Sequence, residues 1–290
     1  MEVIFSTLIN GLSLGGIYAM IALGYTMVYG IAKMLNFAHG DVIMVGAYLI
    51  YVFMALNNPL LAILLSVIGC VILGITIEKV AYKPLRGASP LAVLITAIGV
   101  SYLLQSLSQI IFGSATKMVT VYEFGSVQLL GASIDVSSLV TLAVTVVVMV
   151  SLTLFIKYTR LGRAMIAVSE DKGAAQLMGI NVDGIITITF AIGSALAALA
   201  GLFYLLKAPA VSNTMGAMPG IKAFTAAVIG GIGSIPGAML GGILLGMVES
   251  ISYKITVIAP YTDAIEFAIL IVILLVRPTG FLGKKRREKV

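Results

Sequence analysis

Residue types on which many soluble enzymes depend are scarce in this sequence of 290 residues. It has one cysteine, Cys70, one histidine, His39, and no tryptophan, and only 10% of its residues are charged. A lone cysteine excludes an intrachain disulfide, and a lone histidine excludes a histidine-based metal cluster. No GxxxxGK[ST] loop is present, so the chain cannot bind and hydrolyse ATP by that route.

Catalytic arrangements are missing as well. His39 lies two residues from Asp41, but a histidine and a carboxylate without a placed nucleophile do not make a triad. Cys70 lies in an apolar run and has no companion base or metal ligand. We therefore expect no enzyme site and no cofactor bound by this chain, and these residues argue against an intramembrane enzyme.

Apolar residues, in contrast, make up 60% of the chain, and the mean hydropathy is +1.12. A soluble domain carries about a quarter charged residues, and a helix that crosses a bilayer needs roughly 20 apolar residues. The sequence thus predicts an all-α, polytopic integral membrane bundle, with a single transmembrane domain over residues 1–290. The net charge of +6 is too scattered to indicate nucleic-acid binding. No removable signal peptide is expected, because the first residues lack a basic region.

Nine membrane crossings are predicted, within a range of eight to ten. They cover residues 13–31, 42–56, 60–77, 91–112, 138–156, 185–206, 224–233, 236–252 and 264–276. The seventh is short. It counts as a crossing because, if this segment only dipped into the membrane and returned, the basic tail 284–290 would lie outside the cell, against the positive-inside rule. With nine crossings, fourteen of the eighteen lysines and arginines share the side of that tail. The positive-inside rule then makes the C-terminus cytoplasmic and the N-terminus external.

One hydrophilic stretch interrupts the apolar runs in mid-chain, and we call residues 157–183 the polar segment. It carries four cations and three carboxylates between the fifth and sixth predicted spans. Ser169 or Asp171 can cap a short helix, and Gly179 can end it in the left-handed conformation. Such a helix, with small residues and the apolar tip 177–178, has a shape suited to docking in a groove of another protein.

Two further regions are candidates for a translocation path or gate. The first holds Asn36, His39, Gly40 and Asp41, which lie near a span end and either cap the second span or face a water-filled path. The second is the glycine-rich stretch 226–246, which either packs helices closely or forms a broken helix beside the path. Its candidate residues are Gly230, Gly231, Gly233, Pro236 and Gly237.

Several short motifs, in order along nearly the whole chain, resemble a single family of transport proteins. They are NFAHGD at 36–41, GAY at 46–48, KPLRGASP at 83–90, TAIGVS at 96–101, GGIGSIPGAMLGG at 230–242 and RPTGFLG at 277–283. The polar segment resembles the cytoplasmic loop of the inner-membrane permeases of ATP-binding-cassette (ABC) importers for branched-chain amino acids. The combination is similar to the H-type permease of that family, whereas ribose-type and urea-type permeases share only the glycine-rich and loop patterns.

The resemblance implies a fold like that of type II importer permeases, in a prokaryotic inner membrane. It implies four partners besides the lipid bilayer: a second homologous permease subunit, two cytoplasmic ATPase subunits that bind ATP, and an external binding protein that delivers Leu, Ile or Val. The short helix of the polar segment corresponds to the coupling helix that sits on the ATPase. The corresponding residues here are Arg163, Ala164, Ser169, Glu170, Asp171, Ala174, Ala175, Gly179, Ile180 and Asn181. Arg163 would anchor the segment, and Glu170, Ala174, Ala175 and Gly179 would form the docking surface.

Two other transport functions stay open at this point. A related permease for urea, short amides or a simple sugar would fit the same pattern, because no substrate pocket is evident in the sequence. A proton- or sodium-coupled carrier acting alone would need an ionisable residue near the membrane midplane, and we expect none there. Glu78, Glu249 and Glu266 are predicted at span ends, so a path without fixed charge suits a zwitterion or a neutral solute.

Overall fold

The computed structural model describes residues 2–129 and 131–283, and its elements are mostly helices. The long helices are α1 (Glu2–Ala32), α2 (His39–Phe53), α3 (Pro59–Ile77), α4 (Pro90–Phe112), α5 (Val136–Tyr158), α8 (Val182–Lys207), α10 (Ile235–Lys254) and α11 (Thr262–Val276). The shorter ones are α6 (Arg160–Glu170), α7 (Lys172–Leu177) and α9 (Ala217–Gly230), with single helical turns at Met54–Leu56, Glu78–Tyr82, Lys83–Leu85 and Ala259–Tyr261. The basic tail 284–290, used above to orient the chain, lies outside the described residues.

Each predicted crossing corresponds to a helix. In the described part of the chain, eight helices, some extended by an adjoining helical turn, have the length and hydropathy to cross a membrane, and α9 is the shorter ninth. Its fourteen residues span about 21 Å, less than the roughly 30 Å of a hydrocarbon core. The prediction was wrong about where α1 begins, because the helix continues to Glu2 rather than starting near Ser13.

Several helices begin at a polar cap followed by proline. The side chain of Asn58 accepts a hydrogen bond from a backbone N–H of α3, and Ser89 and Ser234 do the same for α4 and α10. A proline follows within the first two helical positions in each case, where its missing N–H costs nothing. These local signals explain why the starts of these helices follow from the sequence.

The helices divide into an inner and an outer group. In an apolar stretch of 18 residues, 61% of the residues of α1 and 67% of those of α8 are buried. The corresponding fractions are only 22% for α4 and 11% for α11 with its preceding turn. Glycines allow α1 and α10 to approach closely, because a Cβ on Gly246 would collide with the backbone of Gly15, and one on Gly242 would collide with Ala19. This confirms that these glycine rows pack helices inside the subunit.

The connection 113–137, between the fourth and fifth predicted crossings, contains short β-strands. β2 (Ser126–Leu129) and β3 (Ala132–Asp135) form an antiparallel hairpin, with Val127 opposite Ile134. β1 (Lys117–Met118) pairs with β4 (Ala210–Val211), which follows α8. Both pairs therefore lie at the end of the bundle where α8 ends, opposite to the polar segment that precedes α8.

Candidate functional site

The polar segment folds into two short helices, each begun by a capping side chain. Thr159 Oγ1 accepts a hydrogen bond of 2.9 Å from the N–H of Gly162, at the start of α6. Asp171 Oδ1 accepts one of 3.0 Å from Ala174 at the start of α7, so Asp171 rather than Ser169 is the cap of the predicted short helix. Gly179, at φ +81°, ends it. The predicted cap, helix and left-handed terminus are thus confirmed.

The two faces of this segment differ in exposure. Met165, Val168 and Ala175 are buried against the bundle, whereas Leu177 and Met178 are 90% and 83% exposed. The sequence analysis counted Ala175 in a docking surface, and this was wrong because its methyl group faces the chain's own core. Of the other predicted coupling residues, six are exposed and three are half-buried. The exposed ones are Arg163, Glu170, Asp171, Ala174, Gly179 and Asn181, and the half-buried ones are Ala164, Ser169 and Ile180.

Side chains join the polar segment to the ends of the long helices. Arg163 Nη1 donates to the carbonyl oxygen of Tyr158, at 3.3 Å, near the end of α5. Lys172 Nζ donates to the carbonyl oxygen of Ala32, at 2.7 Å, where α1 ends. Burial, and secondly the nearby Arg86 guanidinium, lowers the pKa of Lys172. The sequence analysis did not find the contact of Lys172, because its partner is a backbone atom distant in the chain.

An ion cluster lies beside the start of α8, and we call it the inner cluster. Arg86 donates to the carboxylates of both Glu78 and Asp183. Lys83 Nζ is 3.1 Å from Asp183 Oδ2, and Thr187 Oγ1 donates to Glu78 at 2.8 Å. The cluster therefore ties the α3–α4 connection to the last residue of the polar segment and to the first turns of α8.

The region of Asn36 to Asp41 is buried and joins several helices. Ala38, which precedes α2, makes no side-chain cap, and Asp41 instead accepts hydrogen bonds from Ser101 and Gln105 of α4, the latter at 2.9 Å. Asp41 lies in the first turn of α2, where a carboxylate complements the helix dipole as predicted, but no side chain caps the helix. Ser101 is the central residue of α4, so the buried carboxylate of Asp41 lies beside the middle of that helix.

The neighbours of Asp41 make close contacts too. The carboxamide oxygen of Asn36 accepts a hydrogen bond of 2.8 Å from the Tyr82 hydroxyl. His39 is 1% exposed and packs edge-on against Tyr25, with ring centroids 4.8 Å apart, and its Nε2 has no hydrogen-bond partner. Gly40 lies against the backbone at the start of α9. A gating role for this region stays a prediction.

The glycine-rich candidates lie where α9 meets α10. The backbones of Gly230 and Gly237 touch, so neither position has room for a side chain. Gly231 and Gly233 have φ of +104° and +93°, which favours glycine, and Pro236 lies in the exposed first turn of α10. The 277–283 motif folds back here, because Phe281 N–H donates to Ile229 and Leu282 N–H to Gly230, both at 2.9 Å. Close packing and backbone conformation explain why glycine stands at these positions. A role of these residues in the translocation path stays a prediction.

A second ion cluster, the outer cluster, lies at the opposite end of the bundle. Lys222 Nζ of α9 lies 2.8 Å from Asp263, 3.1 Å from Glu249 and 3.3 Å from Glu266. The Tyr18 hydroxyl donates to Glu249 at 2.6 Å. The sequence analysis placed both glutamates at span ends but did not identify the lysine between them, because no local pattern in the sequence links α9 to α10 and α11.

Taken together, eight apolar helices, a buried interior that contains polar groups and an anchored hydrophilic segment define a polytopic helical membrane protein. Residues 7–274 match the family described as "branched-chain amino acid transport system / permease component". The chain belongs to this family.

Individual relatives agree with the family match. The high-affinity branched-chain amino acid transport system permease protein BraD of Pseudomonas aeruginosa is 45% identical, covering 98% of this chain and 97% of the relative. The LivH permease protein of the same description from Escherichia coli K12 is 43% identical, covering 97% and 96%. The ribose import permease protein RbsC of Haemophilus influenzae is 30% identical but covers only 45% and 42%.

Proposed function

We propose that the chain is the membrane-spanning permease subunit of an ABC importer and forms part of the translocation path for leucine, isoleucine and valine. The observation that carries the substrate assignment is the match over almost the full length to permeases named for branched-chain amino acids. The sugar permease matches less than half of the chain, which disfavours the sugar alternative.

The carboxylate of Asp41, buried beside the middle of α4, is the observation that favours a lone ion-coupled carrier. It does not displace the importer proposal. Family membership points to a component of a larger transport system, and the two hydrogen bonds of Asp41 give this carboxylate a structural role between α2 and α4.

The partners in this proposal are a second homologous permease, two ATPase subunits that bind ATP, and an external binding protein. The polar segment faces the cytoplasm of a prokaryotic cell, together with Lys33, the cations of 78–90 and the C-terminus, in keeping with the positive-inside rule. The two pairs of β-strands and the N-terminus then face the outside, where the binding protein delivers substrate.

Coupling to the ATPases is assigned to α7 and its terminal turn. Leu177 and Met178 project from the bundle almost completely exposed, on a side where no lipid covers them in this orientation. An apolar tip of this size is suited to an apolar cleft on a partner, and the exposed carboxylates of Glu170 and Asp171 can make charge-assisted contacts beside it. The anchors at Arg163 and Lys172 would transmit movement of the tip to α5 and α1.

The test is co-purification of the ATPase subunits with the assembled permease pair, followed by ATP-driven leucine uptake in proteoliposomes. Leu177→Glu with Met178→Glu should abolish both, because two charges would enter an apolar contact. The matched control exchanges the side chains for others of similar volume, Leu177→Met with Met178→Leu, and should retain both. ATPase binding and uptake at wild-type levels by the charged variant would contradict the coupling role of α7.

A further inference from the structure

A cavity of about 610 Å³ opens at the outer end of the bundle, between α1, α5, α8 and α10. Its volume lies within the range of about 300–1,000 Å³ that is typical of small-molecule sites. No role follows for it from the family match or from the motifs above. Its walls combine apolar side chains, among them Leu14, Leu206 and Phe124, with charged groups of both signs.

The charged groups on this cavity are only partly neutralised by one another. Lys207, Lys254 and Asp135 line it, and none of them takes part in an ion pair within the part of the chain that the structure describes. Glu249 also lines it, held in place by Lys222 and the Tyr18 hydroxyl. Lys207 lies within electrostatic range of both Glu249 and Asp135. The lining therefore presents cations and carboxylates side by side, beside an apolar wall.

We propose that this cavity is an outer subsite for an amino-acid zwitterion, with Lys207 facing the carboxylate of the ligand and Asp135 and Glu249 facing its ammonium group. The apolar wall accommodates a branched aliphatic side chain. A ligand of this kind neutralises Lys207 and Asp135 at once, which neither a purely cationic nor a purely anionic ligand does. The inference rests on the proposed function, which supplies the amino acid from this side of the membrane.

The same charge pattern also suits the head group of phosphatidylethanolamine, which carries an ammonium group and a phosphate. The observation that favours the free amino acid is the apolar wall beside the charges, because a head group keeps its acyl chains in the bilayer and has no aliphatic group to place there. The experiment distinguishes the two sources.

Binding is measured by saturation-transfer NMR on the assembled transporter in phosphatidylcholine nanodiscs, without the external binding protein. L-Leucine should give a signal, and N-acetyl-leucine and leucinamide, each lacking one charge, should bind about tenfold more weakly. Lys207→Gln and Asp135→Asn should each weaken leucine binding by about the same factor. Lys117→Gln, an outer lysine that does not line the cavity, is the matched control and should leave binding unchanged.

Leucine binding that is insensitive to both Lys207→Gln and Asp135→Asn would overturn the proposal, as would the absence of any leucine signal. Competition by glycerophosphoethanolamine as strong as that by leucine would assign the cavity to a lipid head group and would also overturn it. ATP-driven leucine uptake by the wild-type assembly with its binding protein is measured in parallel. If uptake fails, the proposed function fails, whereas normal uptake without binding at the cavity removes this subsite alone.

Discussion

The two ion clusters lie at opposite ends of the bundle and differ in how completely they are buried. In the outer cluster the side chain of Lys222 is 6% exposed and has three carboxylate neighbours on α10 and α11. In the inner cluster the side chain of Arg86 is 18% exposed, and those of Lys83 and Asp183 are about half exposed. Ion pairs of the same kind are therefore expected to contribute different amounts to the free energy of unfolding at the two ends of the bundle.

This difference suggests different roles. Removing one partner of a buried charge pair costs about 3–5 kcal/mol, whereas an exposed pair contributes about 1 kcal/mol or less. The outer cluster thus holds α9, α10 and α11 in one arrangement. The inner cluster, partly in water and next to the polar segment, can rearrange at lower cost when the polar segment moves.

The largest effect is expected for Lys222→Met, which leaves Glu249 and Glu266 buried without their cation. We expect a loss of about 3–5 kcal/mol in the free energy of unfolding, a large fraction of the about 5–15 kcal/mol that is usual for a folded protein. Thermal unfolding in detergent, followed by size-exclusion chromatography, measures it. The control Lys254→Met removes an exposed lysine without an ion pair in the described residues and should be neutral. Equal melting temperatures for Lys222→Met and Lys254→Met would show that the ion pairs of the outer cluster do not stabilise the fold more than an unpaired surface lysine does.

An intermediate effect is expected for Arg86→Gln. The carboxylate of Glu78 has no exposed surface, and without Arg86 the hydrogen bond from Thr187 is the one that remains to it among the described residues. We expect a loss of about 2–3 kcal/mol, because one charged hydrogen-bond partner of a buried group is removed. The same thermal measurement applies. A loss as large as that of Lys222→Met would show that the inner cluster is as rigid as the outer one.

The smallest effect is expected for Lys83→Gln. Both side chains of its ion pair with Asp183 are at least half exposed, and Arg86 still neutralises Asp183 in the variant. The expected loss is below about 1 kcal/mol and should shrink further in high salt. A melting-temperature series against ionic strength checks this. A large, salt-independent loss would mean that Lys83 is shielded from water in the assembled transporter.

Predictions from the sequence were correct where the interacting residues are close along the chain, and they failed where the residues are far apart along it. Asp171 and Gly179 were placed correctly at the two ends of α7, because helix caps act over three or four residues. Asp41 was placed correctly at the start of α2, but its partners Ser101 and Gln105 were not found, since they lie on another helix. The role of Ala175 was also wrong, because the six residues of α7 are too few to show a periodicity that separates its buried from its exposed face.

The amino-acid sequence by itself determined that this protein is a bundle of about nine membrane helices with a hydrophilic segment in mid-chain, because hydropathy and capping are properties of neighbouring residues. Its motifs also determined the family. Only the tertiary structure decided which charges meet, as at Lys222 and Arg86, and that Asp41 reaches the middle of α4. These contacts depend on the order in which helices pack, and in an apolar bundle where nearly every helix surface is hydrophobic, the sequence pattern does not specify that order.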